Sequence, residues 1–134
     1  MANSKHGTRA LQNLFKQILP LSERRSELLA QSLLPERLPS GKELDRVLEL
    51  SLNLHGNHVI QLCLDHLTRE EHKEHIHRTV LHHCAVIATD KHGCCVIQKI
   101  LGAPNSRIRR ALVNVSLSQL DQLIDDQFGN YVVQ

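Results

Sequence analysis

The 134-residue chain has no Trp, one Tyr and two Phe, so a core built on packed aromatic rings is excluded. Four Pro and six Gly are too few for a collagen-like or low-complexity chain. Excess charge is nearly absent as well. The 16 Lys and Arg stand against 14 Asp and Glu, a formal +2, whereas proteins that grip nucleic acid through its phosphates are expected to be far more basic. No apolar run approaches the roughly 18 residues of a membrane span. The opening Met1-Ala-Asn-Ser-Lys-His-Gly7 is polar and lacks the apolar centre of a signal peptide. The cysteines are Cys63, Cys84, Cys94 and Cys95, the last two adjacent, which does not make a disulfide framework. A reduced, cytoplasmic setting with no membrane partner is the expectation.

What the chain does have is Leu, 23 of them, and a globular balance of 41% hydrophobic to 22% charged residues. A Leu, Ile and Val core with so few helix breakers favours packed helices. The decisive feature is a repeat around glycine. His6-Gly7-Thr8-Arg9-Ala10-Leu11-Gln12 aligns with His55-Gly56-Asn57-His58-Val59-Ile60-Gln61, with His92-Gly93-Cys94-Cys95-Val96-Ile97-Gln98, and with Phe128-Gly129-Asn130-Tyr131-Val132-Val133-Gln134. These glycines stand 49, 37 and 36 residues apart, so the unit is about 36 residues and the first interval carries an insertion. The insertion is expected near 35–41, where two Pro and a Gly interrupt any helix.

Apolar residues after each glycine recur at three- and four-residue spacing, as in Val59, Ile60, Cys63, Leu64 and Leu67. Asp90 and Asp126 stand three residues before their glycines, with Asn53 and Ser4 in the same column, all suited to helix caps. A second helix is expected over Leu21 to Leu34, Glu70 to Cys84 and Ile108 to Val115. Short helices ending near Leu50, Ile87 and Leu123 would precede the glycines. Units that cannot bury an apolar face alone must stack, which predicts an all-α α-solenoid of three-helix repeats. Periodicity by itself fits a protein-interaction solenoid of the armadillo or HEAT class equally well.

The polar columns separate those readings. Residues one and five places after each glycine are Thr8 and Gln12, Asn57 and Gln61, Cys94 and Gln98, Asn130 and Gln134. Spacing of i, i+4 puts both members of a pair on one helix face, expected to be exposed, with the apolar pair between them turned to the core. A recurrent Gln is not needed for solubility. Its uncharged amide donates and accepts, which suits the edge of a base better than a phosphate. Between the pair members lie Arg9, His58, Cys95 and Tyr131, of which Arg, His and Tyr offer flat faces for stacking.

The phrases Gly56 to Gln61, Gly93 to Gln98 and Gly129 to Gln134, with the lead-ins Ala88-Thr89-Asp90-Lys91-His92 and Asp126-Gln127-Phe128, resemble the RNA-reading helices of Pumilio/PUF repeats. Such repeats read single-stranded RNA one base per repeat with two or three side chains. The resemblance runs over nearly all of 1–134 as a partial Pumilio-homology domain, with recognition helices near 7–19, 56–67, 93–102 and 129–134. It is similar to the third to sixth of eight repeats, and it implies a right-handed α-solenoid. It implies base-edge pairs selecting uracil at Asn57 with Gln61 and at Asn130 with Gln134. Adenine would be selected at Cys94 with Gln98 and at Thr8 with Gln12. Arg9, His58, Cys95 and Tyr131 would fill the stacking column, weakest at Cys95. N-terminal repeats meet the RNA 3′ end in this family, so the implied core is 5′-UAUA-3′ within a UGUA-containing messenger 3′-UTR element. A monomer that recruits effector proteins on its convex face, for post-transcriptional regulation, completes the implication.

Other chemistry is not expected. His72, His75, His77, His82, His83 and Cys84 crowd one segment but lack the spacing of a metal site. His92 and Cys94, alternate on a helix, do not face each other as a nucleophile and base must. No enzyme activity, cofactor or metal is expected.

Overall fold

A computed structural model describes residues 9–10, 12–14, 17, 23–104 and 106–134. Arg9, Ala10, Gln12, Asn13, Leu14 and Gln17 are helical. Thr8 lies outside the described residues, as does Ser4. The remaining elements run in order: α1 (Glu23–Ser32), β1 (Glu36–Arg37), β2 (Glu43–Leu44), α2 (Arg46–Ser51), α3 (Gly56–His66), α4 (Glu70–His82), α5 (Cys84–Ala88), α6 (Gly93–Leu101), α7 (Ser106–Ser118), α8 (Leu120–Ile124) and α9 (Gly129–Val133).

The pattern is short helix, glycine-led helix, long helix. Each helix packs against its counterpart in the next unit: α3 on α6, α6 on α9, α1 on α4 and α4 on α7. Equivalent positions fill the core at the period of the repeat. Val59, Ile60 and Cys63 in α3 are buried, as are Val96, Ile97 and Ile100 in α6, while Ile76 in α4 matches Leu112 in α7. One continuous α-solenoid core results, because no unit could bury that face alone.

The insertion has structure of its own. Pro35 precedes an antiparallel hairpin, with Pro39 in its loop, in which Glu36 pairs with Leu44 and Arg37 with Glu43. Its tip closes through Leu38 N to the Lys42 carbonyl at 2.9 Å and Gly41 N to the Leu38 carbonyl at 2.9 Å. Gly41 sits there at φ +80°, a conformation that a Cβ would strain. Directly after the hairpin, Asp45 caps α2, its Oδ1 accepting from Val47 N and Leu48 N at 3.0 and 3.3 Å. Its Oδ2 accepts from Thr79 Oγ1 of α4 at 2.7 Å, so one carboxylate ties the insertion to two helices. Among the described residues no helix is long and apolar enough to cross a membrane.

Candidate nucleic-acid interface

Three turns of one design start the glycine-led helices. Asn53 Oδ1 accepts from His55 N and Gly56 N, both at 2.9 Å. Asp90 Oδ1 accepts from His92 N and Gly93 N at 2.8 Å. Asp126 Oδ1 accepts from Phe128 N and Gly129 N at 2.8 and 2.7 Å. Each side chain thus satisfies amides that the first helical turn leaves orphaned. The glycine itself is required by packing. A Cβ on Gly56 would lie 2.7 Å from the Leu50 carbonyl oxygen, one on Gly129 2.8 Å from that of Leu123, and one on Gly93 nearer still to that of Ile87. The end of each short helix therefore presses on the start of the next, fixing where the polar columns begin.

The stacking column projects outward at every position: Arg9, His58 and Cys95 are exposed, and Tyr131 is 60% exposed. Gln12 and Gln61 are half-buried, while Gln98 and Gln134 are exposed. The first members of the pairs correct the expectation of an exposed pair in every unit. Asn57 and Cys94 are buried, at 3% and 6% exposure, and Asn130 is half-buried. Standing in the first helical turn, these side chains fold back on carbonyls of the lead-in turn. Asn57 Nδ2 donates to the Asn53 and Leu54 carbonyls, both at 2.9 Å, and the Cys94 thiol turns to the Lys91 carbonyl at 3.5 Å. Burial, reinforced by neighbouring Cys95, pushes the Cys94 thiol up to about 11, so it is neutral at physiological pH.

Within two pairs the members bond to each other. Gln61 Nε2 donates to Asn57 Oδ1 at 3.0 Å, and Gln134 Nε2 to Asn130 Oδ1 at 2.6 Å. One contact between units gave no signal in the sequence: Lys99 of α6 reaches Asp65 of α3 at 2.7 Å. Neither residue recurs in a column, so alignment of the repeats does not expose it. The histidine-rich segment is divided among packing roles. His75 Nε2 lies 3.6 Å from Asp45 Oδ1, and the His82 and His83 rings meet edge-on at 4.6 Å. Among the described residues no three His, Cys, Asp or Glu side chains converge on a point a metal ion could occupy. Cys63, pushed up to about 12 by burial, is a core residue.

The Pumilio-family RNA binding repeat model matches residues 1–25, 46–76, 83–117 and 126–134, omitting the hairpin and most of the helix before it. The chain belongs to the Pumilio family. Pumilio homolog 12 of Arabidopsis thaliana is 37% identical over 96% of the chain, which spans 20% of that relative's length. Pumilio homology domain family member 4 of Saccharomyces cerevisiae is 43% identical over 64% of the chain and 10% of its own length. Among solved structures, the Puf4 RNA binding domain bound to an HO endonuclease RNA 3′ UTR recognition sequence superposes with TM-score 0.82 at 35% identity. The match covers 98% of this chain and 37% of that one. The RNA-binding domain of yeast Puf5p bound to SMX2 RNA gives 0.80 at 28% identity, covering 98% and 35%. The Pumilio repeat accounts for both the 36-residue stacking period and the glycine-led helices.

Proposed function

We propose that this Pumilio chain binds single-stranded RNA in a sequence-specific manner, one base to each glycine-led helix, and serves post-transcriptional regulation of messenger RNA. The observation that carries the reading is the alignment, on successive packed helices, of a Gln amide with an outward-facing neighbour suited to stacking. His58 and Tyr131 supply planar faces beside Gln61 and Gln134. An aromatic platform contributes about 1–3 kcal/mol per stacked base. The amide supplies what stacking cannot, a donor and an acceptor that distinguish one base edge from another.

Assigned by unit, Asn130 with Gln134 takes uracil and Cys94 with Gln98 takes adenine. Asn57 with Gln61 takes uracil and Thr8 with Gln12 takes adenine, a 5′-UAUA-3′ core for an element of the UGUA type. Stacking falls to Arg9, His58, Cys95 and Tyr131, with Cys95 the weakest platform. The cytoplasmic setting and effector proteins on the convex face belong to the same reading.

Fluorescence titration with an oligonucleotide containing UGUAUAUA, against one with the UAUA scrambled, is the test. The expected result is a preference of about tenfold or more for the intact core, the scale of one mismatched contact. The paired change Asn130→Ser with Gln134→Glu is expected to turn that unit from uracil to guanine. Equal affinity for both oligonucleotides would point instead to a solenoid that contacts protein.

A further inference from the structure

One histidine stands where the next unit places an apolar side chain. Counting 36 residues on, Ile76 of α4 corresponds to Leu112 of α7, Leu81 to Leu117 and His77 to Val113. His77 is half-buried and lines the groove between α4 and α7 beside Leu81, Ile108 and Ala111. It also lines the cleft at the ends of α3 and α6, where Gln98 forms part of the wall. A neutral imidazole suits such a place, with an apolar body against the helices and a polar tip at the rim. An imidazolium gives up hydration there and needs a carboxylate in return.

The neighbouring carboxylates are already engaged. Among the described residues, those lining the two clefts are Asp65 of α3 and Glu70, Glu71 and Glu74 of α4. Asp65 pairs with Lys99 of α6 at 2.7 Å and Glu70 with Lys73 at 3.8 Å. Glu71 pairs with Arg69 at 3.0 Å and Glu74 with Arg78 at 2.9 Å. Arg107 of α7 adds a further cation on the facing wall. Asp45 and the charged residues of α1 lie against His72, His75 and Thr79, on another face of α4, and Cys84 of α5 turns to Ser116. A proton on His77 therefore adds a positive charge where each anion already has its cation. Burial holds the imidazole below its ordinary value of 6.5, against the pull of Glu70 and with the push of Lys73.

We propose that His77 is an acid-sensitive latch: neutral, its ring seals α4 against α7, and charged, it parts them and loosens two adjacent units of the stack. The proton's effect on stability depends on the fold alone. Its effect on RNA rests on the RNA-binding reading above, because a strand laid across Gln61 and Gln98 needs both units in register. The sign follows from the preference of the folded chain for the neutral ring. His77 contributes its full share of stability above about pH 6.5, and that share is lost as the pH falls below it.

Urea unfolding of the whole chain at about pH 7.5 and about pH 5.5 is the test. Two variants accompany it: His77→Val, the side chain that the next unit has at this place, and His77→Gln, polar but uncharged. The unmodified chain is expected to be less stable at the lower pH. Both variants are expected to remove at least about threefold of that fall in the folding equilibrium constant. Variants as acid-sensitive as the unmodified chain would overturn the inference. So would a His77 ring that titrates at or above 6.5 by NMR in the unmodified chain, a measurement that needs no variant to fold. In a second arm, fluorescence titration with UGUAUAUA is expected to show an affinity that falls on acidification, with the fall at least about threefold smaller in His77→Val. A fall of equal size in both chains would overturn the link to RNA. Equal affinity for UGUAUAUA and its scramble at both pH values would instead remove the RNA-reading proposal, leaving the latch to be decided by the urea result.

Discussion

Gly93 and Gly102 are nine residues apart at opposite ends of one helix region, yet they bear different loads. A Cβ on Gly93 collides with the Ile87 carbonyl oxygen, which is backbone and cannot swing away. A Cβ on Gly102 meets nothing nearer than 3.5 Å, and Gly102 is already in the right-handed helical region at φ −78°. Gly93→Ala is therefore expected to cost about 1–3 kcal/mol through forced separation of α5 and α6. Gly102→Ala should lie within about 0.5 kcal/mol of neutral or slightly stabilise, since it restricts the unfolded chain without strain. Urea denaturation of the two variants checks this, and equal losses would contradict the close-approach account. In the sequence the glycines served as registration marks for the repeat, but their reason was hidden. The carbonyl that forbids a side chain belongs to a helix six residues upstream. Burial of Asn57 and Cys94 was hidden for a related cause. Helical spacing places them beside their Gln partners, and only local hydrogen bonds to lead-in carbonyls turn them inward.

At the scale of elements, the hairpin shows where sequence patterns fail. Strands of two residues are too short to display any alternation, so Pro35, Pro39 and Gly41 read as a break and no more. Its anchor was equally silent, because Asp45 bonds Thr79 across 34 residues of chain. That carboxylate offers a quantitative test. Asp45→Ala removes the α2 cap, about 1 kcal/mol. It also leaves the Thr79 hydroxyl buried without its acceptor, a further penalty of about 1–3 kcal/mol. A total loss near 2–4 kcal/mol in urea unfolding is expected. Asp45→Asn keeps an oxygen for Val47 N and Leu48 N and should lose less. If Asp45→Ala were no worse than an exposed substitution such as Glu43→Ala, the hairpin would not be anchored through this residue.

The whole molecule is a stack, and that is why so much of it was legible. A repeat states the same packing problem several times, so the core columns Val59 and Val96, Ile60 and Ile97, Cys63 and Ile100 stand out without any knowledge of three-dimensional contacts. Contacts that do not recur, such as Lys99 with Asp65, have no such redundancy to expose them. Their loss should matter little, because both partners are more than a third exposed and pairs of that kind contribute at most about 1 kcal/mol.

Stacking also determines how the molecule should come apart. Each unit touches only its neighbours, so stability is a sum over units and the interfaces between them. Helix α6 packs on both α3 and α9. Ile97 in α6 is wholly buried, while Val133, 36 residues on and at the same place in its unit, is 38% exposed. Ile97→Ala is expected to cost about 2–5 kcal/mol. It should also lower the urea m-value, because loss of packing in α6 uncouples the units on either side and lets them unfold in separate steps. Val133→Ala removes contact on one side only and should cost less than about 1 kcal/mol with the m-value unchanged. Circular dichroism through the urea transition reads both quantities. Equal costs at the two positions, or a steep single transition retained by Ile97→Ala, would mean that the units are bound by something other than nearest-neighbour packing through α6.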